Sequence, residues 1–409
     1  MTDGGNRLRD VLHRQLWQRL PRSWRRAGLF RATASLAPLP TPWARPTTPI
    51  IVAGALRTAS GLGESARLCH DALKVSGKEV FGIDLTAGLM QPMDRADFAF
   101  ADARTQEGPG TLIVHVNSPL MPLAIWLLGR KVVRDKYIVG YWAWELPEVF
   151  SDWRHGVPFV HEIWVPSAFT ADAVRSVARG RTVRVIPHPV ALRGLASVPG
   201  ASRSSRPFTV LLIFNMASSF ARKNPLATIS AFRAAFSDHP STRLIIKTSN
   251  ADVFPDGMTS MQRAIGTARN IVLVDKTMSA GEIDALYHGS DLVMSLHRSE
   301  GFGLTIAEAM LRGLPVMATN WSGNVDYLSG ERGVPIPYRH VAAEDPQGTY
   351  HCPRMMWADA DVEAAASALR SLREDPELGR QLGANARAYA ARVWSAEGYA
   401  ERVRWCLGL

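Results

Sequence analysis

The sequence predicts an α/β protein of two tandem, doubly wound domains facing each other across a cleft. Three observations predict it: short apolar strands alternate with helices, the alternation runs twice, and a stretch without apolar periodicity separates the two runs. A length of 409 residues with 46% apolar and 21% charged residues suits two or three domains, each able to bury a core.

The first run occupies 49–195. It opens with an apolar strand over 50–55, a tight turn at Gly61-Leu62-Gly63, and a helix over 64–75 whose Ala66, Leu68, Ala72 and Leu73 share an apolar side. Further strands are expected over 111–116, 137–142, 162–165 and 183–186. Residues 196–207, A-S-V-P-G-A-S-R-S-S-R-P, read as the interdomain linker. The second run, 208–393, gives strands over 208–214, 243–248, 271–274, 292–296 and 315–318, alternating with helices over 225–236, 259–265, 280–288 and 304–312. Helices over 361–372 and 376–393 follow, and 394–409 is expected to form a last helix packing back on the first domain. Open α/β sheets bind ligands at the carboxyl ends of their strands, so function is sought in those loops.

Charge is uneven. Residues 1–48 hold nine Arg and no Lys against Asp3 and Asp10, so seven of the ten net positive charges lie there. Leu12, Leu16, Leu20 and Trp24 recur every four residues with Trp17 beside them, interrupted by Pro21. This basic amphipathic arm, which ends in a Pro-rich linker, suits an anionic membrane surface; a solvated arm is the alternative. No nucleic-acid motif accompanies the arginines, and no nucleic-acid partner is expected. No apolar run is long enough to span a bilayer and no secretory signal is read, so a cytoplasmic protein, peripheral at most, is expected. Cys69, Cys352 and Cys406 are far apart and form neither a disulfide framework nor a zinc motif.

The most informative stretch is S-E-G-F-G-L-T-I-A-E-A-M at 299–310. Gly301 and Gly303 let the backbone approach a ligand closely, and the helix beginning at Leu304 and Thr305 aims N–H groups at a phosphate. Glu308, one turn on, suits neutral hydroxyls such as those of a ribose, and Glu300 precedes the turn where a sugar would lie. Glu300, seven intervening residues and Glu308, with Gly301-Phe302-Gly303 between, resemble the signature of retaining glycosyltransferase family 4, the bacterial group 1 type. That resemblance implies the GT-B fold, with Rossmann-like domains. It implies that Glu300 contacts the donor sugar, that Glu308 holds the ribose, and that the turn meets the diphosphate.

A second stretch, N-M-A-S-S-F-A-R-K-N-P at 215–225, follows the first strand of the second domain. Arg222 and Lys223 can neutralise a diphosphate without metal, and the resemblance implies that Lys223 does so. The family's Gly-Arg is replaced here by Ala217-Ser218: either Arg222 supplies that cation, or the diphosphate is held less tightly. Thr277, after the strand over 271–274, is a candidate for the base.

On the first domain, Gly61 and Gly63 are expected to line the cleft, without completing a dinucleotide fingerprint. His115 and Asn117 end one strand, and Trp144 and Glu145 follow another. Indoles and a carboxylate so close suit carbohydrate, although Trp142 and Trp144 share a face and read equally as core, and His115 reads first as structural. Asp359-Ala360-Asp361 imitates a metal-binding D-x-D but precedes an Ala-rich helix, where Asp is the expected cap. No metal and no cofactor are expected, only a nucleotide diphosphate sugar as co-substrate. The expectation is a hexosyltransferase, retaining by resemblance, acting on a glycan or polyprenyl-linked acceptor in surface polysaccharide biosynthesis. The alternatives are a silent sugar-nucleotide-binding or scaffold protein and, behind it, a glycan phosphorylase.

Overall fold

The structure is a computed structural model that describes residues 22–75, 77, 79–95, 97–192 and 206–409. It contains two parallel six-stranded sheets. The first comprises β1 (Ile50–Gly54), β2 (Val80–Asp84), β3 (Gly110–His115), β4 (Lys136–Tyr141), β5 (Glu162–Val165) and β6 (Thr182–Val185), in the order β2-β1-β3-β4-β5-β6. The second comprises β7 (Phe208–Ile213), β8 (Thr242–Thr248), β9 (Ile271–Asp275), β10 (Leu292–Ser295), β11 (Val316–Thr319) and β12 (Val334–Ile336), in the order β12-β11-β10-β7-β8-β9. Every residue of β1, β3, β10 and β11 is buried, because parallel strands covered by helices on both faces are sealed from water on both sides. The expected two-domain GT-B architecture is therefore present.

Topology fixes where a ligand can lie. In the second sheet the chain moves outward from β7 to β8 and β9, then returns to place β10 on the other side of β7. The loops after β7 and β10 thus diverge at a switch point and leave a crevice between them. They are the two stretches, 215–225 and 299–310, that the sequence singles out.

Several elements tie the two halves together. Helix Ala396–Leu407 packs on helix Gly61–Val75, and its Tyr399, Ala400, Val403 and Leu407 join Ile50 and Val52 in one core. After β12, strands β13 (Tyr338–Ala343) and β14 (Cys352–Ala360) form an antiparallel hairpin. Its Ala343, Tyr350, Cys352, Met355 and Trp357 belong to the core of the first domain. The sequence reading assigns none of β2, β12 and this hairpin.

Within 1–48, helix Arg22–Leu36 packs on helix Met121–Val133, with Phe30 and Thr33 buried. This part of the expected arm is built into the first domain. The repeat through Leu12, Leu16, Trp17 and Leu20 lies outside the described residues, as does most of the linker over 196–207. Asp361 caps its helix, accepting from the N–H groups of Glu363 and Ala364, while Asp359 pairs with Arg298 and Arg339. Among the described residues, no helix is long and apolar enough to cross a membrane, and no group of three metal-ligating side chains converges.

Candidate active site

The loop after β7 is bent twice by residues with left-handed backbone. Ser219 (φ 69°) caps the short helix Phe220–Lys223, its Oγ accepting from the Arg222 N–H, and Asn224 (φ 50°) ends it. Asn224 is locked by donating Nδ2 to the Leu296 carbonyl at 3.1 Å, which ties this loop to the end of β10. Backbone of this kind at non-glycine residues is held only where surrounding bonds over-determine it. The result is that Arg222 and Lys223 both meet Glu300.

Glu300 is buried, paired with Lys223 through Nζ and with Arg222 Nη1 at 3.2 Å. Burial alone would push its carboxyl pKa up. Lys223, Arg222 and His297 outweigh burial and hold it at about 2, so Glu300 is ionised at neutral pH. The two cations differ in access. Arg222 exposes 4% of its side chain and Lys223 15%. Arg222 also donates Nη1 to the Ser299 carbonyl (2.8 Å) and Nη2 to that of Ser218 (2.9 Å). Arg222 therefore backs Glu300 from inside the protein, and Lys223 is the cation facing the crevice. Burial lowers the Lys223 pKa, with Arg222 adding to that and Glu300 opposing it.

The Gly301-Phe302-Gly303 turn is pinned from three directions. The Glu300 N–H donates to Ser322 Oγ at 2.8 Å, and its carbonyl accepts from the Gly323 N–H at 2.8 Å. Tyr327 donates its hydroxyl to the Phe302 carbonyl at 2.5 Å. Gly303 (φ 88°) starts helix Leu304–Leu311, where no side chain caps the first N–H groups. Leu304 and Thr305 are half-buried. The Phe302 ring is a core group packed on His188, Tyr327 and Trp394, so only the backbone of this residue is available to a ligand at the turn. Glu308 Oε2 accepts from Tyr287 at 3.0 Å, and Arg312 lies 4.3 Å over that tyrosine ring. Thr277 is exposed at the end of the edge strand β9.

The carboxyl ends of the first sheet face this cluster. Ser167, after β5, donates to the Gly301 carbonyl at 2.6 Å, and the Ala168 N–H donates to Asp326 Oδ2 at 2.7 Å. Asp326 is thus an interdomain contact. Glu145, half-buried, accepts from Tyr350 at 2.8 Å. Asn117 accepts from the Ala143 N–H at 2.9 Å and joins the β3 and β4 loops. For Trp144 and His115 the core and structural readings hold, and Gly63 does not line the cleft. Trp144 is buried among Phe150, Trp153 and Tyr350, so it is a wall and not an open stacking platform. His115 is buried, bonded through Nδ1 to Ser65 at 2.8 Å and stacked on Tyr141; burial, then His188, drives its pKa well below the usual histidine value. Gly63 is a packing residue: an added Cβ would lie 2.5 Å from the Thr58 carbonyl and 2.8 Å from that of Ala55. Gly61 is exposed at the helix start.

Sequence reasoning missed Tyr287, Ser322, Tyr350 and His297. Tyr287, Ser322 and Tyr350 each reach their partners from a separate element, and no local motif announces any of the four. His297 is buried beside Glu300, and burial lowers its pKa to about 4.

Residues 170–402 match a family model described as family 4 glycosyltransferase in conflict systems. Sucrose synthase from Acidithiobacillus caldus is 30% identical over 132 residues, covering 32% of this chain and 14% of that protein. Trehalose synthase from Rubrobacter xylanophilus is 25% identical over 166 residues, covering 39% and 34%. The chain thus spans about a third or less of these curated relatives. Among solved structures, Anabaena HepE in complex with UDP aligns with TM-score 0.61 at 16% identity, covering 88% of this chain and 100% of that one. S. aureus TarM, solved with UDP and alpha-GlcNAc-glycerol, aligns with TM-score 0.56 at 14% identity, covering 73% and 55%.

Proposed function

The chain belongs to the family 4 glycosyltransferases in conflict systems, and from that premise we propose that it moves a hexose from a nucleotide diphosphate donor held by the second domain to an acceptor held by the first. One observation carries this reading. Lys223, Glu300, the uncapped helix start at Leu304 and Glu308 converge at the switch point of the second sheet.

In this reading the diphosphate lies against the N–H groups of Leu304 and Thr305 and against Lys223. The helix dipole and a fixed ammonium favour charge where it develops as the bond to the sugar breaks, and they do so without a metal ion. Glu308, oriented by Tyr287, takes the ribose hydroxyls. Glu300, kept ionised by Lys223 and Arg222, orients the sugar. Transfer proceeds with retention, the leaving phosphate taking the acceptor proton. UDP is the favoured nucleotide, since HepE and TarM were both solved with it.

The acceptor is a glycan or a lipid-linked saccharide of a surface polysaccharide, a choice supported by the alpha-GlcNAc-glycerol bound to TarM. The protein works in the cytoplasm, with 1–48 touching an anionic membrane surface. The exposed Leu36, Leu39 and Trp43 support that contact.

A thermal-shift screen of UDP, GDP, ADP and their sugars tests the donor site. UDP is expected to raise the melting temperature by mass action, and Glu308→Gln to shrink the shift. No shift with any nucleotide at millimolar concentration would overturn the reading in favour of a scaffold.

A further inference from the structure

The hairpin β13–β14 lies across both domains at the site. Its connecting loop is bonded to the loop after β7. Asp345 accepts from Ser219 Oγ at 2.9 Å, Gln347 Oε1 accepts from the Phe220 N–H at 2.5 Å, and Gln347 Nε2 donates to the Met216 carbonyl at 3.0 Å. Asp345 also accepts from the Tyr350 N–H at 2.9 Å. The loop that presents Lys223 is therefore braced from Met216 to Phe220 by the hairpin.

From that brace, Tyr350 projects between the domains. Its ring lies 5.2 Å from the Arg222 guanidinium, and its hydroxyl donates to Glu145 Oε2. On the far side of Arg222 are Glu300 and Lys223. A continuous polar chain thus runs from Glu145 on the first domain through Tyr350 and Arg222 to Glu300 and Lys223 on the second. Low local dielectric strengthens each link, and each group's position depends on its neighbours.

We propose that Tyr350 is a positioning residue that sets the closed register of the two domains at the reacting centre, by holding Glu145 against the Arg222–Glu300–Lys223 cluster. This rests on the donor-site reading above. Tyr350 touches neither nucleotide nor sugar in this role; it fixes the groups that do. The hairpin core, with Cys352, Met355 and Trp357 buried against the first domain, anchors it from behind.

The test uses the full chain, with UDP binding followed by thermal shift and turnover by UDP release from UDP-glucose. Tyr350→Phe keeps the ring and removes only the bond to Glu145. Turnover is expected to fall on the order of tenfold, the scale of a hydrogen bond to a charged group. Affinity for UDP, held by the second domain alone, should change less than twofold, and the ligand-free melting temperature should fall by no more than about 4 °C, because the ring and its packing are kept. Glu145→Gln is expected to give the same split, and the double variant no more than either single one. Wild-type turnover in Tyr350→Phe, additive losses in the double variant, or an equal loss of UDP affinity would overturn the role. If Tyr350→Phe does not fold, the Glu145→Gln split decides alone. Absence of a UDP shift in the wild type would overturn the donor reading and this proposal together, whereas a UDP shift with unchanged variants would overturn only the proposal.

Discussion

The loops at the carboxyl ends of the two sheets meet face to face but are built from opposite materials. Those of the second sheet concentrate charge: Lys223, Arg222 and Glu300 in contact, with Glu308 beyond an uncapped helix start. Those of the first sheet concentrate aromatic rings: Trp142, Trp144 and Trp153 pack edge to face. The contrast teaches a division of labour. In the proposed reaction, the charge that acts on the leaving group is fixed in advance by the second domain, while the first domain supplies rigid walls and a few polar contacts such as Glu145. Substitutions on the two sides should therefore fail in different ways, one in stability and the other in rate.

The largest effect is expected on the aromatic side. Trp142→Ala removes a fully buried ring from the first core and should cost about 3–5 kcal/mol of folding stability. UDP binding should survive at temperatures where the variant is folded. Denaturant unfolding together with UDP titration checks this, and loss of UDP affinity in the folded variant would erase the division. On the charged side, Lys223→Ala should cost less stability than Trp142→Ala, because removing the largely buried ammonium relieves a burial cost while Arg222 stays paired with Glu300. Turnover should drop on the order of 10²–10³, the usual loss when a fixed donor at a developing charge is removed. UDP-glucose turnover at equal folded fraction measures it, and a wild-type rate would remove Lys223 from the mechanism.

The same contrast explains what the sequence made legible. The charged side is written locally. Glu300, Gly301, Gly303 and Glu308 lie within one loop and one helical turn, and Arg222-Lys223 follow the first strand of the second domain, so local chemistry together with the family resemblance singles them out. The alternation of apolar strands with helices was equally local, and the two parallel sheets follow from it. The aromatic side was ambiguous because indoles two apart on a strand end serve either as core or as a sugar platform; only burial decided for core. The hairpin is illegible in the sequence for a further reason. Its apolar residues, among them Tyr350 and Trp357, bury against a domain some two hundred residues earlier in the chain, as the Tyr350–Glu145 bond shows. No local periodicity records such a contact. Strand β2 is short, and the glycine within its V-F-G-I-D breaks the apolar run.

The smallest effect concerns the histidines that lie where the two sides touch. His297, beside Glu300, has its pKa lowered by burial to about 4, and His188, packed on Phe302, to about 3. Between these values and the ordinary 6.5 the unfolded chain binds protons that the folded chain does not, so acidification favours unfolding. Their contribution is complete above pH 6.5 and is lost progressively as pH falls toward 4 and 3. Glu300 adds to the same trend lower down: its depressed carboxyl contributes stability above about 4.5 that is lost as pH falls toward 2. Urea unfolding at pH 7 and pH 5 should therefore show the wild type weakening on acidification. His297→Gln should lose part of that slope whatever its absolute stability, since glutamine does not titrate. Glu300 is still ionised over this window, so a slope unchanged in His297→Gln would mean that His297 is solvated and charged in the folded protein. The charge cluster would then extend one residue further into the second domain than its burial allows.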